Sequence, residues 1–403
     1  MSSSFFRGRQ LAPPPSKKLQ FHNLDALRLF AAAAVIFSHG FLIAEGVEDN
    51  EPLQQATGEI LGMYGVYVFF ILSGFLITRS WQRQPDPASY FTGRLLRVYP
   101  AYVASVLLGV LLVAPLWYEG GILDYFASPG LRHAVEHGLA FDYNAYYVLG
   151  VRFYADEGNL GGVINGVYWS LQTEVLLYLV LAVLGALGVL RWYVALGLSL
   201  LTLMWHLKFW YVKISFGYDN TFDLWGFTFA APGFFAGSFL YFWFQHHAPS
   251  ARLALVLGLL AVTVPFLDLG AYLPANAQAH QLFPVLAAYP ILWLGHGGAP
   301  SLGNWTRWGD LSYGLYLFGW PVQQVLRSLL GPDWSGWSFF VPSLAFSLAA
   351  ACISWRLIEA PSLSLKRRML ERASRSGGGS DTYETMVPPL ATAVLTEVPV
   401  ETN

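Results

Sequence analysis

The sequence predicts an all-α fold, a polytopic integral membrane bundle of about ten transmembrane helices. Three observations carry that expectation. Hydrophobic residues make up 55% of the 403-residue chain and charged residues only 12%, against about 25% charge in a soluble domain. The apolar residues fall in runs of about 20, the length needed to cross a bilayer. Basic residues divide unevenly between the connections: with the N-terminus inside, 18 of the 23 Lys and Arg residues lie on the inner side and 5 on the outer. That bias orients membrane proteins, so both termini are expected in the cytoplasm. Acidic Glu45, Glu48, Asp49 and Glu51 in the first outer connection agree.

Taken in order, residues 1–20 are polar and Pro-rich and are expected to be disordered, without a cleavable signal peptide. The first run, 24–44, contains Arg28 and His39. Ionisable side chains at membrane depth are expensive and, by default, functional. Their 11-residue separation returns both to one helix face, about 16 Å apart along the axis. Asp25, three residues before Arg28, offers an intrahelical ion pair. His39 lies near the outer end, where an imidazole suits the role of general base toward a hydroxyl.

The second run, 60–79, carries Gly62, Gly65 and Gly74, which favour close helix packing. Arg94-Leu-Leu-Arg97 opens the third, 98–117. Two arginines at i, i+3 share a face and can grip phosphates bidentately, although membrane anchoring also accounts for them. The longest connection, 117–166, is of a length that is usually functional. Within it, His133-Ala-Val-Glu-His137 has the spacing of inverted zinc peptidases but lacks a third ligand, so it reads as a solvated helix face. No metal is expected.

The fourth run, 167–190, begins Tyr168-Trp169-Ser170-Leu171-Gln172-Thr173-Glu174. Glu174 falls near the depth of His39, so the two are expected to form a His–carboxylate pair. The alternative is a carboxyl bonded to a buried Tyr or Trp. Further runs follow at 192–212, 222–244, 252–269, 281–298, 310–330 and 336–357. The lone Cys352 lies in the last of these and is read as a packing residue; intramolecular disulfides are excluded. One membrane domain is thus expected over residues 21–365, followed by a disordered cytoplasmic tail at 366–403. A net charge of −2, with no basic stripe, excludes a nucleic-acid partner.

Five pieces, in order, resemble the acyltransferase family 3 membrane proteins. They are Arg28-x10-His39; Phe69-Phe70-Ile71-Leu72-Ser73-Gly74-Phe75; Arg94-x-x-Arg97; Trp169-Ser170-Leu171-x-x-Glu174; and Leu311-Ser312-Tyr313-Gly314-x-Tyr316 with Glu359-x-Pro361. The resemblance spans residues 20 to 365 and implies O-acyl transfer, typically acetyl from acetyl-CoA to a sugar hydroxyl. It also implies a bacterial inner-membrane location; the chain departs from fused members of the family, and a standalone form without a periplasmic domain is expected. Acyl-CoA is then the donor, a cell-surface glycan or glycolipid the acceptor, and membrane lipids the surroundings. Arg28, Arg94 and Arg97 would bind the donor, and His39 and Glu174 would be catalytic. Direct transfer and a route through acyl-His39 both stay open. So do two other functions: a proton-coupled transporter of lipid-linked sugars, and a relative acting on a small-molecule acceptor.

Overall fold

The computed structural model describes residues 21–365, apart from 142–147, 149, 154–161, 217–221, 275–276, 298, 304 and 306–308, and also residue 368. For 209–216 and 222–225 only the helical backbone is described. Both segments read as disordered, 1–20 and 366–403, lie outside these residues (Arg368 aside), as do Asp142, Asp156 and Glu157 of the long connection.

The described residues form helices and no strand. They are α1 (Leu24–Glu45), α2 (Pro52–Thr57), α3 (Leu61–Arg83), α4 (Pro87–Leu108), α5 (Ile122–Ala127), α6 (Pro129–Leu139), α7 (Tyr168–Ala186) and α8 (Trp192–Phe216). After them come α9 (Phe222–His246), α10 (Ala251–Thr263), α11 (Phe283–Leu286), α12 (Ala288–Gly295), α13 (Ser312–Leu330) and α14 (Gly336–Ser354). Every apolar run read from the sequence contains helix. Six helices among the described residues are long and apolar enough to cross a membrane: Leu24–Glu45, Leu61–Arg83, Pro87–Trp117, Tyr168–Ala186, Gly226–His246 and Gly336–Leu365.

Departures from the predicted runs have local causes. The 281–298 run is divided into a 3-10 turn (Ala279–Leu282), α11 and α12, because Pro284 and Pro290 each lack the N–H that an unbroken helix needs. α4 starts eleven residues before the predicted run, N-capped by Asp86, whose carboxylate accepts from Ser89 N at 2.7 Å, with Pro87 at the first helical position. It continues as a π-turn (Gly109–Val113) and a 3-10 turn (Ala114–Trp117) around Pro115.

α1 packs against α3, α13 and α14, while α3 also packs against α7 and α9. Glycines set the closest approaches: a Cβ at Gly65 would lie 2.6 Å from Ala31 O of α1. At Gly74 and Gly237 it would overlap the facing α9 and α3 backbones. Such small-residue contacts replace the hydrophobic drive that lipid cannot supply. Asn23, fully buried, donates to Leu294 O (2.7 Å) and Pro300 O (2.8 Å) and accepts from Leu302 N (2.9 Å). That clamp fixes the start of α1 beside the segment leading to α13. The bundle therefore has a basic end, where α1 begins and Arg79, Arg83, Arg94 and Arg97 gather, and an acidic end around Glu45, Glu48, Glu51 and Glu59.

Candidate active site

At the basic end, α1, α3, α4, α7 and α13 enclose a cavity of about 130 Å³. Arg28, Arg94, Arg97, Ser73, Glu174, Tyr178, Ser312, Tyr313 and Tyr316 supply its polar wall, and Val66, Phe69, Phe70 and Leu76 part of its apolar wall. Four of the five residues singled out from the sequence thus meet in one place.

α4 carries Arg94 and Arg97 one turn apart, as their spacing requires. Arg94 Nη2 donates to Ser80 Oγ of α3 at 3.1 Å, and its buried Nε has no partner. Arg97 pairs with Asp310 Oδ2. Arg28 lies 3.4 Å from Asp25 Oδ1, the predicted i, i+3 pair, and 3.8 Å from Asp310 Oδ2. Asp310 is the hub that sequence reasoning missed, although it abuts the Leu311-Ser312-Tyr313 motif. It follows Gly309, whose φ of +105° suits glycine and whose Cα sits under the Trp355 ring. Its other oxygen, Oδ1, accepts from Ser312 Oγ (2.6 Å) and Ser312 N (3.3 Å) at the start of α13. The Arg97 and Arg28 guanidiniums on Oδ2 offset the cost of burying the Asp310 carboxylate.

Across the cavity, Glu174 Oε1 of α7 accepts from Ser73 Oγ (3.2 Å) and from the Tyr178 hydroxyl one turn away. Tyr313 OH donates to Val98 O (2.8 Å), and Tyr316 OH shares a 2.6 Å bond with Ser170 Oγ. These pairs fix a polar ring around an otherwise apolar space.

His39 stands apart. Half-buried, its ring meets Trp320 of α13 edge-on at 4.7 Å. No His39–Glu174 hydrogen bond forms, which corrects the expected pair. Equal depth on two helices is not adjacency: α1 faces α3, α13 and α14, whereas α7 faces α3 and α9. Glu174 instead takes the alternative partner, a buried tyrosine.

Trp320, also missed from the sequence, is held from the long connection. Its Nε1 donates to Val163 O (3.1 Å), and a Cβ on Gly166 would lie 2.8 Å from its ring. Buried Asn165 in the same segment donates to Leu317 O at 2.8 Å. Ser312, Tyr316 and Trp320 recur every four residues, so one face of α13 runs from the arginine cavity to His39, a rise of about 12 Å.

A family model, the acyltransferase domain Acyl_transf_3, matches residues 21–356. The chain belongs to the acyltransferase 3 family. It is an enzyme of the acyltransferase class and an integral membrane protein. Similar to it is Nodulation protein 10 of Rhizobium leguminosarum bv. viciae, 28% identical over 383 residues that cover 87% of this chain and 95% of the relative. No solved structure matches significantly. The match extends from just before α1 through α14, so the arginine cavity, Asp310, Trp320 and His39 all fall inside it.

Proposed function

We propose that this acyltransferase moves an acyl group, acetyl in the simplest case, from cytoplasmic acyl-CoA to a hydroxyl of a cell-surface or lipid-linked carbohydrate. The observation that carries this reading is the meeting of Arg28, Arg94 and Arg97 at one cavity of the basic end. Coenzyme A is polyanionic, and arginine clusters suit phosphate recognition. The positive-inside bias makes the basic end the cytoplasmic one, which is where acyl-CoA resides. The partnerless Nε of Arg94 supplies a donor with no protein acceptor.

From the arginines, the pantetheine arm would climb the Ser312–Tyr316–Trp320 face of α13 and present its thioester near His39. The acceptor hydroxyl enters from the acidic end. His39 takes its proton as the oxygen attacks the thioester carbonyl carbon; the C–S bond then breaks, and the proton passes to the departing thiolate. In the two-step variant His39 first carries the acyl group. Trp320 orients the imidazole in either route. Glu174 acts from the cavity through Ser73 and Tyr178, fixing the wall that receives the arm.

Incubating membrane-embedded enzyme with acetyl-CoA and a lipid-linked oligosaccharide, with mass analysis of the acceptor, tests this assignment. One acetyl added per CoA released is the expected result. Acceptor translocation without acyl addition or CoA release would overturn it in favour of transport.

A further inference from the structure

We infer that Asp310 is an internal stand-in for a donor phosphate: its Oδ2 occupies Arg28 and Arg97 until the polyanion displaces it, and retakes them as CoA leaves. The inference rests on the acyl-CoA reading above and adds a means of exchange to it. Its starting point is the charge at the cavity. Arg28, Arg94 and Arg97 face Asp25, Asp310 and Glu174 in or touching one space, and buried Glu359, beside Gly314 of α13, also lies within reach of the Arg97 charge. With no excess of cations over carboxylates, the constellation offers little net attraction to an anion. Binding therefore requires that one internal carboxylate give way.

Asp310 is built to do so. Its two oxygens divide the work: Oδ1 is held by Ser312 Oγ and N, and Oδ2 alone meets the two arginines. Anchored through Oδ1 at the positive N-terminal end of α13, the carboxylate keeps hydrogen-bond partners when Oδ2 surrenders its guanidiniums. The other carboxylates lack that arrangement; Glu359 accepts from Ser354 Oγ at 2.9 Å. Among the described residues, Glu174 accepts from Ser73 and Tyr178, and Asp25 forms its ion pair with Arg28 of its own helix. Exchanging a carboxylate for a phosphate on the same guanidiniums leaves the number of ion pairs nearly constant, so affinity stays moderate and product can leave. Asp310 is accordingly a positioning residue.

Binding of CoA and of pantetheine, which lacks the phosphates, to purified full-length enzyme distinguishes this role from a structural one. Asp310→Asn is expected to bind CoA about tenfold more tightly, the effect of removing one competing ion pair worth about 1.4 kcal/mol. Pantetheine affinity stays unchanged, and inhibition of turnover by CoA strengthens in parallel. Asp310→Glu retains the competing charge and keeps CoA affinity within about threefold of wild type. Should Asp310→Asn alone fail to fold, comparing Arg28→Gln with Arg28→Gln/Asp310→Asn asks the same question in a balanced cavity; the double variant is expected to bind CoA more tightly. Weaker or unchanged CoA binding on removal of the Asp310 charge, or an equal loss for CoA and pantetheine, overturns the inference. Wild-type enzyme that binds neither compound overturns the acyl-CoA reading itself.

Discussion

At the residue scale, the three arginines are not equivalent. Arg28 and Arg97 already meet carboxylates, whereas Arg94 donates to one serine and keeps a buried Nε unpartnered. Arg94 should therefore contribute most directly to donor affinity. Replacing Arg94 by Gln is predicted to raise KM for acyl-CoA about tenfold, as expected for one charge-assisted contact, and to leave kcat within about threefold. Steady-state kinetics across acyl-CoA concentrations check this; an unchanged KM counts against a phosphate role. Arg28, His39 and Glu174 were legible in the sequence because an ionisable group in an apolar run is conspicuous, and Arg94 and Arg97 through their i, i+3 spacing ahead of the third run. Asp310 was not, because its partner Arg97 is 213 residues away and nothing local marks an aspartate before a helix as more than a cap. Trp320 escaped for the opposite reason, since tryptophans are common throughout such a chain.

At the scale of elements, small residues decide how near the helices come. Gly74 of α3 faces the Phe234 carbonyl of α9, and Gly237 of α9 faces Ile71 O of α3, each with no room for a methyl group. Ser238 Oγ completes the seam by donating to Gly74 O (3.2 Å) and accepting from Thr78 (2.8 Å). Gly74→Ala is predicted to push α9 away from α3 and destabilise the bundle by about 2 kcal/mol, in the range for overpacking. A thermal melt in detergent should show the loss, and a wild-type melting temperature would contradict the packing described. The same seam holds Ser73, so activity should fall along with stability. Helix existence was readable at every run, but boundaries and interruptions were not. The π-turn of α4 begins at Gly109, whose Cα lies against Ile164, and the 3-10 turn follows at Pro115; periodicity encodes neither.

For the molecule as a whole, the two ends differ in chemistry. The basic end gathers arginines around Asp310, while the acidic end sets a carboxyl against an imidazole. Glu59, in the connection before α3, lies 3.7 Å from His280 Nε2, and His280 Nδ1 faces Thr57 O at 3.1 Å. Burial pushes Glu59 up to about 8 and lowers His280. A raised carboxyl favours folding while protonated. Its contribution is therefore full below the ordinary carboxylate range and is lost progressively as pH rises toward 8. Stability is predicted to fall by about 2 kcal/mol between pH 6 and 8, and Glu59→Gln should flatten that slope. Parallel melts of both proteins across this range check it; identical slopes would place Glu59 in water. The bundle and its basic bias were visible from composition and run length, because those depend on the bilayer alone. Which helices touch was not visible, and that alone separated His39 from Glu174.

On the proposed route acyl transfer passes through His39, some 16 Å along α1 from Arg28. It is tested most directly by following free CoA release from acetyl-CoA, with and without carbohydrate acceptor, for folded wild-type protein and His39→Ala. Acceptor-dependent release is expected in the wild type, with a loss of at least about 100-fold in the variant, as befits removal of the general base, and CoA binding retained. Undiminished transfer by His39→Ala would contradict it.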